Sequence, residues 1–411
     1  MGLRPARIAV TAYFCLFGVV LAVWITRIPA IKERLHLSDG VLGVALFAIP
    51  AGLLLVTLFA GRLVDRFGSA WVTRVAGVAM AVTLIPPALA GRLGWLMAAL
   101  FVFGVSAGAL DVGMNSNGIL LERARGRPVM TSLHAGYSIG ALAGAVIGGL
   151  FAGAGIGPLP TFLAVGLPSA VVGVAGGRWL LTEHTLTEHG IAGDAGSAAD
   201  TGRTDQQAGI GDPRSAGRLG RSLRPRLLIL LLGTVGLCGL LVEGATADWS
   251  AVYLRDNLGA SAGFAAAGFA AFALAMTAGR LLGDRLAARF GPVRLVRVSG
   301  LVAAAGLAGG LISGSPVGGV AGFAVLGAGL ACIAPQVFLA GGSADPARPG
   351  HGLARVVGLS YLGMVSGPVL IGGAATLVGL PLALGIPVIL ALCVAALAGV
   401  LAPREAAQAA R

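Results

Sequence analysis

Charged residues are scarce in this sequence of 411 residues, which has 29 Lys and Arg and 17 Asp and Glu. They make up 11% of the chain, whereas soluble globular domains carry roughly 25%. Hydrophobic residues account for 56% of the sequence, and the mean hydropathy is +0.90. This number of charges is too small to cover the surface of a water-soluble protein of this size. The composition therefore argues strongly against a soluble enzyme.

Motifs that would hold a metal, a nucleotide or a catalytic group are also missing. Four cysteines lie singly within apolar runs and form no C-x-x-C pair: Cys15, Cys238, Cys332 and Cys393. The five histidines are scattered, and no G-x-S-x-G, H-E-x-x-H or G-x-x-x-x-G-K-[ST] sequence occurs. We therefore expect no enzymatic activity, no cofactor and no metal, and the energy source should be an ion gradient or the solute's own gradient.

Long apolar segments dominate the sequence. A helix that crosses the hydrocarbon core of a membrane needs about 20 mostly apolar residues, because no water is present there to satisfy its backbone. Windows of that length predict an all-α integral membrane protein with twelve transmembrane helices. The predicted spans are 6–26, 40–60, 75–90, 95–121, 130–153, 161–181, 227–247, 262–279, 295–313, 317–341, 353–378 and 382–402.

One segment departs from this pattern and divides the spans six and six. Residues 182–226 are rich in Gly, Ala, Asp, Ser and Arg and cannot bury enough apolar surface to order themselves. We therefore predict an N-terminal six-helix bundle over 1–181, a flexible cytoplasmic linker over 182–226, and a C-terminal six-helix bundle over 227–411.

Basic residues predict the orientation in the membrane, because they accumulate on the cytoplasmic side. With the N-terminus inside, 24 of the 29 basic residues fall on the cytoplasmic side. The five on the other side are Arg27, Lys32, Arg34, Arg92 and Arg255. We therefore expect a multi-pass protein of the cytoplasmic membrane with both termini cytoplasmic. The net charge of +12 then requires no nucleic-acid partner.

A similar turn follows the second span of each half. The first copy contains Gly61, Leu63, Asp65, Arg66 and Gly68, and the second begins at Gly279 and includes Asp284 and Arg285. Repeated halves of this kind are typical of transporters whose substrate site lies between two bundles. The first copy reads G-x-L-x-D-R-x-G, and with it the chain resembles transporters of the major facilitator superfamily (MFS) along essentially its whole length.

This resemblance implies a secondary active transporter that moves a small solute by alternating access and acts as a monomer among membrane lipids. It implies that Asp65 faces the N-terminal end of the eleventh helix and holds the cytoplasmic side closed in the outward-facing state. Gly61, Arg66 and Gly68 would complete this gating motif, with Asp284 and Arg285 as its second copy. The segments 27–32, 110–115, 133–135 and 243–250 resemble more narrowly the YbjJ-like branch, which is related to fucose permease-type carriers.

Ionisable residues within membrane helices are costly and are therefore candidates for function. Desolvation disfavours the charged form of a carboxylate, so a carboxyl group there can exchange a proton near neutral pH. We expect the coupling ion to be H⁺, carried by Glu243 or Asp111, with Asp248 and His134 as further candidates. Asp111 is equally interpretable as a fixed polar partner of Asn115, of His134 or of the backbone near the cytoplasmic rim.

The other two candidates also have structural interpretations. Asp248 lies beside Trp249 and near Tyr253, which resemble interfacial anchors, and His134 can be a hydrogen-bonded packing residue. By analogy with the family, the substrate cavity is formed by the first, fourth, seventh and tenth helices. Arg27 either clamps an anionic substrate or extends its charged head to the interface. The substrate-contact candidates are Trp24, Arg27, Asn115, Tyr137, Gln336 and Tyr361.

Glycines at 136, 140, 144 and 148 form one stripe on the fifth helix. Small residues at this spacing allow helix backbones to approach closely in lipid, either as simple packing or as a sliding interface. The run resembles the antiporter motif of drug exporters, but Ala145 replaces its proline. A drug/proton antiporter therefore stays open as an alternative to a sugar or organic-solute carrier, as does a membrane sensor that binds ligand without transporting it.

Overall fold

The structure, a computed structural model, describes residues 3–127, 129–182, 218–344 and 349–402. In this part of the chain twelve helices are long and apolar enough to cross a membrane, and no strand is present. The predicted all-α fold with twelve spans is confirmed. The spans, labelled in chain order, are α1 Leu3–Arg34, α2 Asp39–Phe67, α3 Ser69–Leu89, α4 Leu93–Arg125, α5 Ser132–Gly153, α6 Pro158–Trp179, α7 Arg226–Asn257, α8 Ala262–Gly283, α9 Arg285–Ile312, α10 Pro316–Ser343, α11 Gly352–Val378 and α12 Leu380–Leu401.

Several helices continue beyond the apolar windows seen in the sequence. The α1 helix runs to Arg34 and so includes the charged residues after its apolar window. The helix that contains most of α7 begins at Arg218, inside the segment predicted as a linker, and ends at Val252. Most of that predicted linker, residues 183–217, lies outside the described residues. Helices extend past the hydrocarbon core because their polar ends remain hydrogen-bonded in the interfacial region.

Several spans are interrupted within their length, among them α2 and α10. The α2 span consists of Asp39–Leu46 and Ala48–Phe67, with Phe47 between them. The α10 span consists of Pro316–Leu330 and Ile333–Ser343. The second of these breaks comprises residues 331 and 332, in the middle of the span.

The twelve helices form two six-helix bundles with the same internal arrangement. In the first bundle α1 packs against α5 and α6, and in the second α7 packs against α11 and α12. The bundles meet along two helix pairs, α5 with α8 and α2 with α11. These equivalent pairings place a pseudo-symmetric interface, with α1 and α7 beside it, at the centre of the molecule.

The bend after the second span of each half has the same backbone conformation in both copies, at Gly68 between α2 and α3 and at Gly291 within the continuous helix Ala262–Ile312 that contains α8 and α9. Gly68 has φ 80° and ψ 149°, and Gly291 has φ 72° and ψ 161°. This region of backbone space is accessible essentially only to glycine, because a Cβ atom would clash there. The preceding pairs also match, since the Arg66 guanidinium lies 5.3 Å from the Phe67 ring and the Arg289 guanidinium 5.5 Å from the Phe290 ring.

The sequence predicts that Asp284 is the counterpart of Asp65 in the second copy. Aligning Gly68 with Gly291 gives a different counterpart. Asp65 precedes Gly68 by three positions, whereas Asp284 precedes Gly291 by seven. The counterpart of Asp65 is therefore Ala288, and Asp284 and Arg285 lie one helical turn further from the bend. The second copy keeps the glycine and its arginine–phenylalanine pair but has no carboxylate at the equivalent position.

Candidate functional site

A cavity of about 410 Å³ lies between the two bundles. It is lined by residues of α1, α5, α7, α8, α10 and α11. Its lining begins at Leu21 and Ile25, in the middle of α1, and extends to His134 on α5 and Arg280 on α8. The cavity therefore runs from the middle of the molecule towards the end that carries Asp65. We call this the Asp65 end and the opposite one the Lys32 end.

An ion pair lies in the wall of this cavity. The Nη2 atom of Arg280 donates to Oε1 of Glu243 at 3.3 Å, and each side chain is 37% exposed. Glu243 lies midway along α7, and Arg280 lies three residues before the end of α8. The two groups face the cavity, and the single contact leaves further hydrogen-bonding atoms on both side chains.

The rest of the cavity wall is largely aromatic and aliphatic. The rings of Phe269 and Phe272 lie 6.3 Å apart, and Phe338 on α10 is a further lining residue. Tyr137 on α5 and Tyr361 on α11 bring hydroxyl groups to the wall. A surface of this composition suits a solute with an apolar body and few polar groups.

His134 lines the part of the cavity towards the Asp65 end. It is exposed, and its ring packs edge-on against Phe14 with centroids 5.1 Å apart. Its backbone carbonyl accepts a hydrogen bond from Ser138 at 3.3 Å. Of the four residues predicted to carry the proton, the structure places Glu243 and His134 in the cavity wall.

Asp111 and Asn115 lie on α4, which contributes no residue to the described cavity lining, although Asp111 is close enough to act electrostatically on Tyr137 and Tyr361 of the wall. The side-chain nitrogen Nδ2 of Asn115 donates to the backbone oxygen of Asp111 at 2.8 Å and to the Oδ1 atom of Asp111 at 3.1 Å. This geometry is that of the structural alternative, in which Asp111 is the fixed partner of Asn115. Two residues after Asn115, buried Asn117 joins α4 to the carbonyl of Leu181 at 2.7 Å.

Trp24 and Arg27 also lie outside the cavity lining. Trp24 is 2% exposed and packs near Phe162, and Arg27 is 4% exposed and donates to the carbonyl of Ile156. Arg27 therefore ties α1 to the connection between α5 and α6. The structure shows neither of the roles considered for it, a substrate clamp or an extended interfacial charge.

Two further candidates, Gln336 and Asp248, are neighbours of lining residues in the sequence but are not in the cavity lining themselves. Gln336 is half-buried on α10 between the lining residues Ala334 and Phe338. Asp248 is half-buried next to the lining residue Ala247. Its neighbours Trp249 and Tyr253 are 0% and 2% exposed, so they pack in the core and are not interfacial anchors.

The two bundles are joined at the Lys32 end by a lysine that contacts two carboxylates. The Nζ atom of Lys32 lies 2.5 Å from Oδ1 of Asp39 and 2.5 Å from Oδ2 of Asp256. Asp39 begins α2 in the same bundle as Lys32, whereas Asp256 lies in the turn Tyr253–Asn257 of the other bundle. The contact between Lys32 and Asp256 therefore bridges the bundles on the side where the cavity is absent.

Close backbone contacts accompany this ion pair at the Lys32 end. A Cβ atom at Gly43 of α2 would lie 2.5 Å from the carbonyl oxygen of Pro368 on α11. A Cβ atom at Gly263 of α8 would lie 2.8 Å from the Cα atom of Gly153 on α5. Since any side chain at these positions would collide with backbone, glycine is needed to bring the bundles together here.

The glycine stripe of α5 packs within its own bundle. A Cβ atom at Gly140 would lie 2.2 Å from the carbonyl oxygen of Cys15 on α1, and one at Gly144 would lie 2.4 Å from that of Val19. Gly363 of α11 has the same relation to Leu237 of α7, at 2.1 Å. The stripe is therefore a close-packed seam inside each bundle, distinct from the interface between bundles.

Among the described residues, the bundles make no comparable polar contact at the Asp65 end. Asp65 is exposed and forms no ion pair with the described residues, and Arg66 and Gly61 are exposed as well. The gating contact between Asp65 and the start of the eleventh helix, which the resemblance implies, stays a prediction, because residues 345–348 before that helix lie outside the described residues. The structure is thus closed at the Lys32 end and open at the Asp65 end.

Arg280 and the phenylalanines were missed by the sequence-based reasoning, which counted Arg280 with the cytoplasmic arginines. One signal was available, because residues 269, 273, 276 and 280 recur at helical spacing and so share one face of α8. No sequence signal connects Lys32 to Asp256, which are 224 positions apart.

The fold and the cavity define a class, that of membrane proteins with two pseudo-symmetric six-helix bundles around a central site. The sequence matches the family profile of the Major Facilitator Superfamily over residues 9–348 and 244–411. The chain belongs to this superfamily; it is a transporter and not an enzyme.

Relatives of the chain support this assignment over its full length. It is 32% identical to the uncharacterized transporter y4wD of Sinorhizobium fredii, covering 97% of this chain and 98% of that protein. It is 30% identical to an uncharacterized MFS-type transporter of Yersinia pestis, with 93% and 92% covered. It is 31% identical to the membrane protein MosC of Rhizobium meliloti, with 92% and 85% covered.

Solved structures share the fold at low sequence identity. The D-xylose–proton symporter matches with a TM-score of 0.75 at 13% identity, over 98% of both chains. The nucleoside transporter NupG matches with a TM-score of 0.70 at 14% identity, also over 98% of both chains. The YbjJ-like branch stays a prediction, because none of these matches tests it.

Proposed function

We propose that the protein is a proton-coupled secondary transporter of the cytoplasmic membrane that moves a small solute by alternating access. The observation that carries this proposal is the cavity that lies between the bundles, open at one end and closed at the other. The solved structures with this fold include a xylose–proton symporter and a nucleoside transporter. Both names support a small polar solute, and the name of the xylose–proton symporter supports a proton gradient as the energy source.

The asymmetry of basic residues supports a cytoplasmic location for the Asp65 end. With both termini inside, 24 of the 29 basic residues are cytoplasmic, and Lys32 is among the five that are not. The structure would then be the inward-facing state, with the Lys32–Asp256 pair as its external gate. In the outward-facing state, Asp65 would close the cytoplasmic side instead.

Glu243 is the best candidate for the proton-binding group. It faces the cavity and pairs with Arg280 from α8, while His134 and Tyr137 of α5 and Tyr361 of α11 are the other titratable groups in the wall. When Glu243 is ionised, its charge is balanced by Arg280. When Glu243 binds a proton, the pair separates and Arg280 becomes available, so protonation changes the chemistry of the site.

The test uses the full-length protein in proteoliposomes loaded with a pH-sensitive dye. A panel of D-xylose, uridine and small organic acids is added outside, and internal acidification is followed together with uptake of the labelled solute. We expect at least one solute to move with protons. Glu243→Gln should retain exchange of labelled for unlabelled solute but lose accumulation driven by a pH gradient.

Two outcomes would overturn the proposal. If no solute exchanges in the wild-type protein, the chain is a binding protein and not a carrier, which is the sensor alternative. If Glu243→Gln accumulates solute as the wild type does, Glu243 has no part in coupling. Arg178→Gln is the matched control, because Arg178 lies outside the cavity and its guanidinium is 4.7 Å from the Trp179 ring.

A further inference from the structure

The charges of the cavity wall restrict which solutes it can bind. Among the described lining residues, the two with a formal charge near neutral pH are Glu243 and Arg280. They contact each other through one nitrogen and one oxygen at 3.3 Å, whereas arginine and a carboxylate pair most strongly through two parallel hydrogen bonds. The pair is therefore incomplete, and both groups are open to the cavity.

A charged solute must replace one member of this pair, and the two replacements are not equivalent. An anion that binds Arg280 displaces Glu243, which can then take up a proton and become neutral. A cation that binds Glu243 displaces Arg280, whose guanidinium cannot lose its proton in a protein. It would remain as an unpaired charge in an apolar cavity, which is costly. The site therefore favours anions over cations.

Neutral polyols fit the wall poorly. Each hydroxyl group that leaves water needs a hydrogen-bond partner inside the site. Beyond the ion pair, the lining offers His134, Tyr137, Ser138, Thr277 and Tyr361 as polar side chains, and the remaining lining residues are glycine, aliphatic, aromatic or Met. The phenylalanines of α8 and α10 instead provide surface for a flat apolar body.

We propose that the solute is a small organic monoanion with an apolar ring-sized body, whose carboxylate binds Arg280 in competition with the carboxylate of Glu243. This inference rests on the proposed function. In the empty site Arg280 pairs with ionised Glu243. In the loaded site Arg280 pairs with the solute, while Glu243 carries a proton taken from solution.

This competition would couple one proton to one anion without a further coupling element. The charge of the Glu243–Arg280 pair in the empty site is zero, because one guanidinium balances one carboxylate, and the contribution of nearby Asp111 is the same in the empty and the loaded site. The charge of the loaded site is also zero, because the proton neutralises Glu243 and the solute balances Arg280. Both forms can then close on either side of the membrane without burying a net charge, whereas anion without proton, or proton without anion, would leave one.

Three probes of similar size distinguish an anionic, a neutral and a cationic solute. Phenylacetate carries a carboxylate, 2-phenylethanol a hydroxyl and 2-phenylethylamine an ammonium group, each attached to the same phenyl ring by a short chain. Their binding to the purified full-length protein is measured by thermal shift and by isothermal titration. We expect phenylacetate to bind at least tenfold more tightly than either of the other two. We also expect Glu243→Gln to bind phenylacetate at least tenfold more tightly than the wild type, because the competing carboxylate is gone.

Arg280→Gln should lose phenylacetate binding. Since this variant leaves Glu243 unpaired, the double variant Glu243→Gln with Arg280→Gln is measured beside it, because it has no unpaired charge and should fold normally without binding phenylacetate. Arg178→Gln is again the control and should bind as the wild type does.

The inference is overturned if phenylacetate binds neither the wild type nor Glu243→Gln, if the amine or the alcohol binds as well as the acid, or if Glu243→Gln weakens phenylacetate binding. These results are separable from the proposed function. Proton-coupled transport of xylose or uridine without phenylacetate binding refutes the anion site alone. Phenylacetate binding as expected, with no solute crossing the membrane, refutes transport and leaves the site assignment standing.

Discussion

The contact between Lys32 and Asp256 allows a test of how the bundles are held together. Replacing Asp256 with Asn removes the carboxylate contributed by the second bundle, while Lys32 keeps its ion pair with Asp39 in the first. The lysine charge therefore remains paired, and we expect the fold to survive. What should change is the balance between the state closed at the Lys32 end and the state open there.

The size of the effect follows from the exposure of the three side chains. Lys32, Asp39 and Asp256 are 14%, 23% and 36% exposed. Fully exposed ion pairs contribute about 0.2–1 kcal/mol, and removing one partner of a buried pair costs about 3–5 kcal/mol. An intermediate pair with a solvated carboxylate should contribute about 1–2 kcal/mol, which changes a two-state ratio by about 5- to 30-fold.

The measurement is a distance distribution between spin labels on the two bundles, after the four native cysteines are replaced by alanine. Leu89 and Ile312 are suitable positions, because they are exposed and lie near the Lys32 end of different bundles. We expect Asp256→Asn to increase the longer-distance population relative to the parent protein. The matched control is Asp39→Asn, which removes the carboxylate of the same bundle and should change this ratio much less.

Equal shifts for the two variants would refute the reasoning, because they would show that the total charge around Lys32 matters and the bridge between bundles does not. An unchanged distribution in Asp256→Asn would show that the backbone contacts alone keep this end closed.

Two further predictions concern packing. Gly263→Val should open the Lys32 end in the same spin-label assay, because its Cβ atom would lie 2.8 Å from the backbone of α5. The control is Gly373→Val, whose Cβ atom would have no neighbour within 4 Å and which should leave the distance distribution unchanged. The same response from both variants would contradict this prediction. Arg27→Met should destabilise the protein by about 1–3 kcal/mol, because the carbonyl of Ile156 loses its donor. Solute affinity should stay as in the wild type, and a loss of affinity without a lower melting temperature would instead make Arg27 a substrate contact.

The number and order of the spans were predictable because each span must be apolar whatever it packs against. The fifth helix shows this well, since the structure has it from Met130 to Gly153, as the sequence predicts. The turn glycine Gly68 was also recognisable, because the backbone conformation that it adopts restricts the residue type directly.

The direction in which a polar side chain points was much less predictable. Arg27, read as a cavity residue, is buried against a carbonyl, and Arg280, read as a cytoplasmic charge, lies in the cavity wall. A single ionisable residue in an apolar helix indicates that something must compensate it, but the partner belongs to another helix. The rotation of each helix, which decides the partner, is set by packing against its neighbours.

The sequence by itself determined the twelve spans, the pseudo-symmetry of the turns and the asymmetry of charge, because these depend on local hydropathy, backbone conformation and composition. Only the tertiary structure decided that Glu243 meets Arg280 and that Lys32 meets Asp256, at separations of 37 and 224 residues. Such pairs form when two helices pack together in one conformation. Hydropathy along the chain does not predict which faces of the helices meet.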